Sequence, residues 1–464
     1  MAEHSDAINA IKDKLRNLED STSRPGNASL TAYDTPATPV QLVNPSPGGS
    51  TFSRFNELMP MPIPIAHGST SEDLLRSRQL KALLGDYPKD MLLRREQKRK
   101  QPEEFAPRKD TLADQLALPL DTSCTAELVN IYFAVVNPRH PVLEQETFDV
   151  TDNSTDVPGA AGTKIALVLM VLTLASISQA SPQVMKDGVS PGIEFARPAI
   201  QFLFRVWPSY CETDMELCQA LYLAASWYNY LCRPLQAWRM IHMASTNIQH
   251  VFLQYESQEV EVSQNLVRLC WAIFLMECDI LAEYHLPRSG IENVVERIPY
   301  PKCGPNPDLH VLAWLANLSA RRLMNCVHFT VYNTASSDLN NCHGHILDSL
   351  LDSANANVLI GISAELNHQL YLWWDLLPQP IKPEPDDLDP DAHQGDLMLR
   401  FWACGDIIFR PFLYKVCSMP QGWIPEEALI EPAMSCINHC RKFLRLVSSL
   451  TRVPSPFTLI NLHS

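Results

Sequence analysis

The stretch DMELCQALYLAASWYNYLCRP, Asp214 to Pro234, opens a run reaching Pro301 whose periodicity decides the fold. Leu217, Ala220, Leu221, Ala224, Ala225, Tyr228 and Leu231 recur at three-and-four spacing, which places them on one face of a helix. Cys232-Arg233-Pro234 stops that helix. Pro234 suits the first position of the next one, where its missing N–H would have had no partner anyway. In that second helix Trp238, Ile241, Ser245, Ile248 and Phe252 again share a side, so the spacing predicts two antiparallel helices. A third, Leu266 to Leu281, is apolar almost all round and belongs at the centre of a helical core. None of the three carries the makings of a reaction centre.

Working outward, 464 residues at 46% hydrophobic composition can bury a large core. The net charge is −15, and residues 1–120 hold as many basic as acidic side chains, so the surplus lies in the rest. An acidic folded part is not the surface that grips phosphates. Thirteen cysteines are scattered from Cys124 onward, many within apolar helices, and read as small buried hydrophobes of a reducing compartment. The N-terminus has no signal-peptide pattern, so the protein is expected to stay inside the cell. The most apolar run, Ile165 to Leu174, falls short of the roughly 20 residues a bilayer span needs and is read as a core helix, with no membrane as partner.

Leu217–Leu223, Arg233-Pro234 followed by Ala237-Trp238, and Arg268–Phe274 together resemble the middle homology region of fungus-specific transcription factors. The likeness runs from about Leu128 to Tyr414. It takes in the Tyr132-Phe133 helix running into His140-Pro141, the Leu372–Pro378 element and the closing Phe409–Tyr414 helix. Leu286–Ile291 departs from the family's usual Gly-Arg-Pro but keeps its turn chemistry, and Ile298–Pro301 is similar to the strand or turn that follows it. His140 is read as a packed turn residue, and Arg233 and Arg410, each before a proline, as contacts to helix-end carbonyls.

Composition and pattern divide the chain into three. Residues 1–20 form a short coiled-coil helix whose seam is Ile8, Ile11, Leu15 and Leu18. In the resembled family such a coil follows the zinc cluster and pairs subunits, which implies a homodimer or heterodimer. Residues 21–120 read as a Pro/Ser-rich disordered linker. It holds one short amphipathic helix, opened by the capping box at Thr70–Asp73 and stopped by Gly85 and Pro88. It also holds the chain's dense basic run, Arg94, Arg95, Lys98, Arg99 and Lys100, a candidate nuclear-import or phosphate-contacting patch. Residues 121–464 form an all-α regulatory domain, ending in a helix from Ala428 to Leu450.

The family's zinc cluster needs six closely spaced cysteines in Cys-x-x-Cys pairs, and no such pair occurs here. Metal, cofactor and catalytic residues are accordingly set at none. The coil beginning at residue 6, where the cluster's linker would end, implies a start downstream of the cluster. Gly188–Gly192 fits the nucleophile-elbow pattern of hydrolases, but Pro191 lacks the N–H an oxyanion hole requires. Asp386–Asp391 is too proline-broken to place carboxylates on a helix face for magnesium, and His343 with His345 lacks a third ligand. By resemblance the chain regulates RNA polymerase II transcription in a fungal nucleus, answering to co-regulators or a small-molecule effector, with zinc and DNA belonging only to the cluster. The alternatives are a cluster-less co-regulator dimerising with another factor and an all-α enzyme using the helical interior as a pocket.

Overall fold

The computed structural model describes residues 61–65, 67–99, 122–150, 160–179, 190–208, 214–257, 261–303, 308–332, 356–385, 387, 390–419 and 422–450. All belong to the second of two units, which divide after Pro60. Among the described residues there are fourteen α-helices and no β-strand. The expected all-α fold is therefore the observed one. No helix among these residues is long and apolar enough to cross a membrane.

Three short helices come first: α1 (Ser71–Leu75), α2 (Arg78–Leu84) and α3 (Met91–Lys98). The body follows with α4 (Thr122–Ile131), which widens into a π turn over Tyr132–Val136, then α5 (Ala160–Ser178), α6 (Ile193–Val206), α7 (Met215–Tyr230), α8 (Pro234–Ser257), α9 (Gln264–Glu283) and α10 (Glu292–Val295). It closes with α11 (Leu309–Tyr332), α12 (Ala356–Asp375), α13 (Ala392–Ser418) and α14 (Glu427–Leu450).

The central helices start and stop where local chemistry demands. Asp214 caps α7, its Oδ1 accepting from the N–H groups of Glu216 and Leu217 at 2.8 and 3.3 Å, and its other oxygen accepts from Thr163 at 2.6 Å. Cys232 takes a left-handed φ of 51°, which reverses the chain into Pro234 at the start of α8. Ser263 caps α9 through Leu266 N–H. As its all-round apolar pattern requires, α9 is enclosed on nearly every side, from Leu266 to Leu281. Ile298–Pro301 is irregular chain, not strand; Trp271 donates to Pro299 O at 3.0 Å and stacks on Tyr300 at 4.5 Å.

The buried side chains fall into two cores. One joins α4 to α10; the other joins α12, α13 and α14. Helix α11 is the wall they share, lending Trp314 and Leu318 to the first core and Ala313, Met324, Val327 and Val331 to the second. Along this seam lie the buried charges Arg321 and Arg400.

Two expectations are corrected. The stretch 21–120 is not linker throughout, because Met61, Ile63, Leu74 and Leu93 pack on the helical body. Ile63 is fully buried in the first core and Leu93 of α3 rests against it. The physical reason is that Met61 and Ile63, alternating with Pro62 and Pro64, form an apolar strap outside any helix, and its side chains and carbonyls find partners in the body instead. The single helix expected after the capping box is two, α1 and α2, separated at Ser77; Thr70 does cap α1 through Asp73 N–H at 3.1 Å. Residues 1–60 and 100–121 lie outside the described residues.

Candidate functional site

The seam is organised by one carboxylate. Asp279 on α9 accepts two parallel bonds from Arg400 of α13, at 2.7 and 2.8 Å, and a longer one from Arg321 of α11 at 3.5 Å. Arg321 is completely buried and its Nε donates to Asn325 Oδ1 at 3.0 Å; Arg400 Nε donates to Asn317 at 3.0 Å. Two guanidinium groups against one carboxylate, away from water, cost desolvation that only good geometry offsets. Burial works against both charges. For Arg400 the paired carboxylate outweighs it and holds the group above its ordinary range, whereas Arg321 is left below it.

On one side Asp279 and Arg400 line a cavity of about 100 Å³, walled by Met276, Trp314, Asn229, Asn317 and Asp396 among others. His140 forms part of the wall, in the turn after the π helix, with its two ring nitrogens bonded to Tyr222 and Tyr230 hydroxyls at 2.8 Å each. A neutral ring fits both, donating to one hydroxyl and accepting from the other. Burial pushes its pKa down to about 3, so it stays neutral. His140 is thus the packed turn residue the sequence indicated.

On the other side the same carboxylate reaches the strap. Asn325, held by Arg321, donates to Met61 O at 3.0 Å and to Cys278 Sγ at 3.3 Å. His67 Nε2 donates to Leu281 O at 3.1 Å, so its Nδ1 accepts, and it takes the Ser69 hydroxyl proton at 2.7 Å. Ser69 in turn accepts from His328 Nδ1 at 2.7 Å. Gly68 N–H donates to Tyr332 O at 3.1 Å and Arg410 to Ser69 O at 2.8 Å. The strap is therefore bonded to α9, α11 and α13 at once. Burial lowers the His67 pKa to about 4 and holds that of His328 well below its ordinary value.

Arg410 departs from its expected role. It sits inside α13, which continues through Pro411, and it pairs with Asp406 while holding the strap carbonyl. Of the basic run, Arg94, Arg95, Lys98 and Arg99 lie exposed along or just after α3. Arg99 bonds Glu96 at 3.3 Å and the carbonyl of Cys232, so it anchors the helix end. Lys100, the seam residues Ile8, Ile11, Leu15 and Leu18, and the pair His343 and His345 lie outside the described residues. Ser190 is followed by Gly192, whose φ of 74° starts α6, and Asp391 caps α13. Sequence reasoning missed Asp279, Arg321, Arg400, His67 and His328. A charged residue within an apolar helical run, such as Arg400 between Leu399 and Phe401, was the available signal.

Neither a search of the curated proteins nor a search of the solved structures finds a match. The family model described as the fungal specific transcription factor domain does match, over residues 129–375, from the end of α4 to the end of α12. That span is more than half of the 464 residues, and the chain belongs to the fungal specific transcription factor domain family.

Proposed function

We propose that this chain is the regulatory part of a factor that controls RNA polymerase II transcription in a fungal nucleus. The observation that carries the reading is the family match over residues 129–375. No step of the reading is enzymatic. The coil at Ile8, Ile11, Leu15 and Leu18 pairs subunits, as a homodimer or with another factor. Since no Cys-x-x-Cys pair occurs in these residues, contact with DNA is assigned to a zinc cluster preceding them in the full product or to the partner factor.

Regulation works through the seam. The effector site is the cavity beside Asp279, whose carboxylates and amides suit a small polar molecule offering hydrogen-bond donors. A ligand that draws on Asp279 loosens its hold on Arg321, and through Asn325 the change reaches Met61 and the strap. Residues 1–60 precede that strap in the chain. A ligand shifts the equilibrium only by as much as it prefers one strap state over the other.

The reading is tested by a fluorescent fusion of the full chain together with a transcriptome of cells lacking the gene. Nuclear accumulation that is lost when Arg94, Arg95, Lys98 and Lys100 become alanine, with a defined set of transcripts altered on deletion, supports it. A fusion excluded from the nucleus, or an unchanged transcriptome, refutes it.

A further inference from the structure

Away from the seam, α13 and α14 bring together Asp406, Cys436 and Cys440, whose ligand atoms all lie within 4.8 Å of one another. Both thiols donate to the same carboxylate oxygen, Asp406 Oδ1, at 3.2 and 2.9 Å, while the other oxygen is held by Arg410. Cys436 and Cys440 are four apart on α14 and so project from one face, one buried and one half-buried. We propose that these three residues form a binding site for a thiophilic divalent cation of the zinc class.

Ligand chemistry, spacing and charge all agree with this. Two sulfurs and a carboxylate oxygen are a donor set zinc takes, and its bonds of about 2.0–2.3 Å put tetrahedral ligands roughly 3.7 Å apart, which small side-chain rotations reach from the observed separations. The cluster is neutral as it stands, with Asp406 against Arg410 and both thiols protonated. Exchanging the two thiol protons for one divalent cation keeps it neutral with both sulfurs bound as thiolates, whereas a monovalent ion exchanged for both protons leaves a buried negative charge. Three protein ligands leave the fourth position to water, admitted on the half-buried Cys440 side. A thiolate site does not require Cys-x-x-Cys. Here the pair is Cys-x-x-x-Cys on a helix and the third ligand comes from another helix, 30 and 34 residues away. The site stands apart from the seam reading and holds or fails without it.

The test uses the full chain, reduced and stripped of metal. Cobalt, as a spectroscopic stand-in, is expected to give a sulfur-to-cobalt charge-transfer band and tetrahedral visible bands at one ion per chain, displaced by zinc. Cys436→Ser and Cys440→Ser each abolish the band; Cys417→Ser, at an exposed cysteine outside the cluster, leaves it. A second measurement needs no variant. In the wild-type chain, alkylation of Cys440 mapped by peptide mass falls about tenfold at zinc near ten times Kd, while Cys417 is unaffected. Absence of the band, its survival in Cys436→Ser, or equal alkylation with and without zinc overturns the proposal.

Discussion

Tyr332 donates its hydroxyl proton to the carbonyl of Ile407 at 2.6 Å, a bond made because Pro411 cannot make it. Within α13 the N–H that would bond Ile407 O belongs to residue 411, and proline has none. The fully buried Tyr332 fills the gap from α11, joining the shared wall to the second core. Tyr332→Phe leaves that carbonyl buried and unpaired and is expected to cost about 1–3 kcal/mol. Denaturant titration checks it, and in a Pro411→Ala background the cost should shrink, because the restored N–H supplies the bond.

Asp279→Asn strips the charge from a site holding two guanidinium groups. Breaking a buried ion pair in this way costs on the order of 3–5 kcal/mol. The strap should loosen with it, because Arg321 and Asn325 lose their anchor. Limited proteolysis between residues 61 and 99, compared with the wild-type chain, reads the effect.

Three buried histidines are kept neutral in the fold: burial pushes the pKa of His67 to about 4 and that of His140 to about 3, and holds His328 well below the ordinary 6.5. The unfolded chain binds their protons first, so stability is full above 6.5 and is lost as pH falls from there towards 4. His67 itself becomes charged only as pH falls to about 4, where it no longer accepts from Ser69, and there the strap should become protease-sensitive.

Glu277 has the opposite slope. Burial raises its pKa to about 7 from 4.5, although it accepts from Ser289 N–H at 2.7 Å and has His242 3.5 Å away. Folding favours its protonated form, so this group lowers stability as pH rises from 4.5 through 7. Glu277→Gln should stabilise the protein at pH 8 by on the order of 1–3 kcal/mol and change little at pH 4. Chemical denaturation at the two pH values compares them.

At Gly405, α13 lies close against α14: a Cβ there would stand 2.0 Å from His439 Cδ2. Gly405→Ala is expected to lower stability by about 1–3 kcal/mol through overpacking, and His439→Ala in the same chain should return part of it. Thermal melts of the two variants decide this.

The helices were legible because their faces are. The period of α8 and the all-round apolarity of α9 state both element and burial, and Pro234 marks a boundary by local chemistry; the period of α7 states the helix but not its burial, which extends from Leu217 to Tyr228 on every side rather than along one face. The strap was not legible, since a Pro-rich extended segment has no period and its burial depends on partners more than 200 residues away, as His67 with Leu281 shows. The same holds for Asp279, Arg321 and Arg400. They lie on three helices, and only the packing of α9, α11 and α13 brings them into contact.

The central claim is that this helical body regulates transcription. Fusing the full chain to an unrelated DNA-binding module, and measuring a reporter placed behind that module's site in a fungal cell, tests it most directly. The account predicts a reporter level displaced severalfold from that of the module alone, and displaced differently by Asp279→Asn. A nuclear, well-expressed fusion that leaves the reporter at the level of the bare module contradicts it.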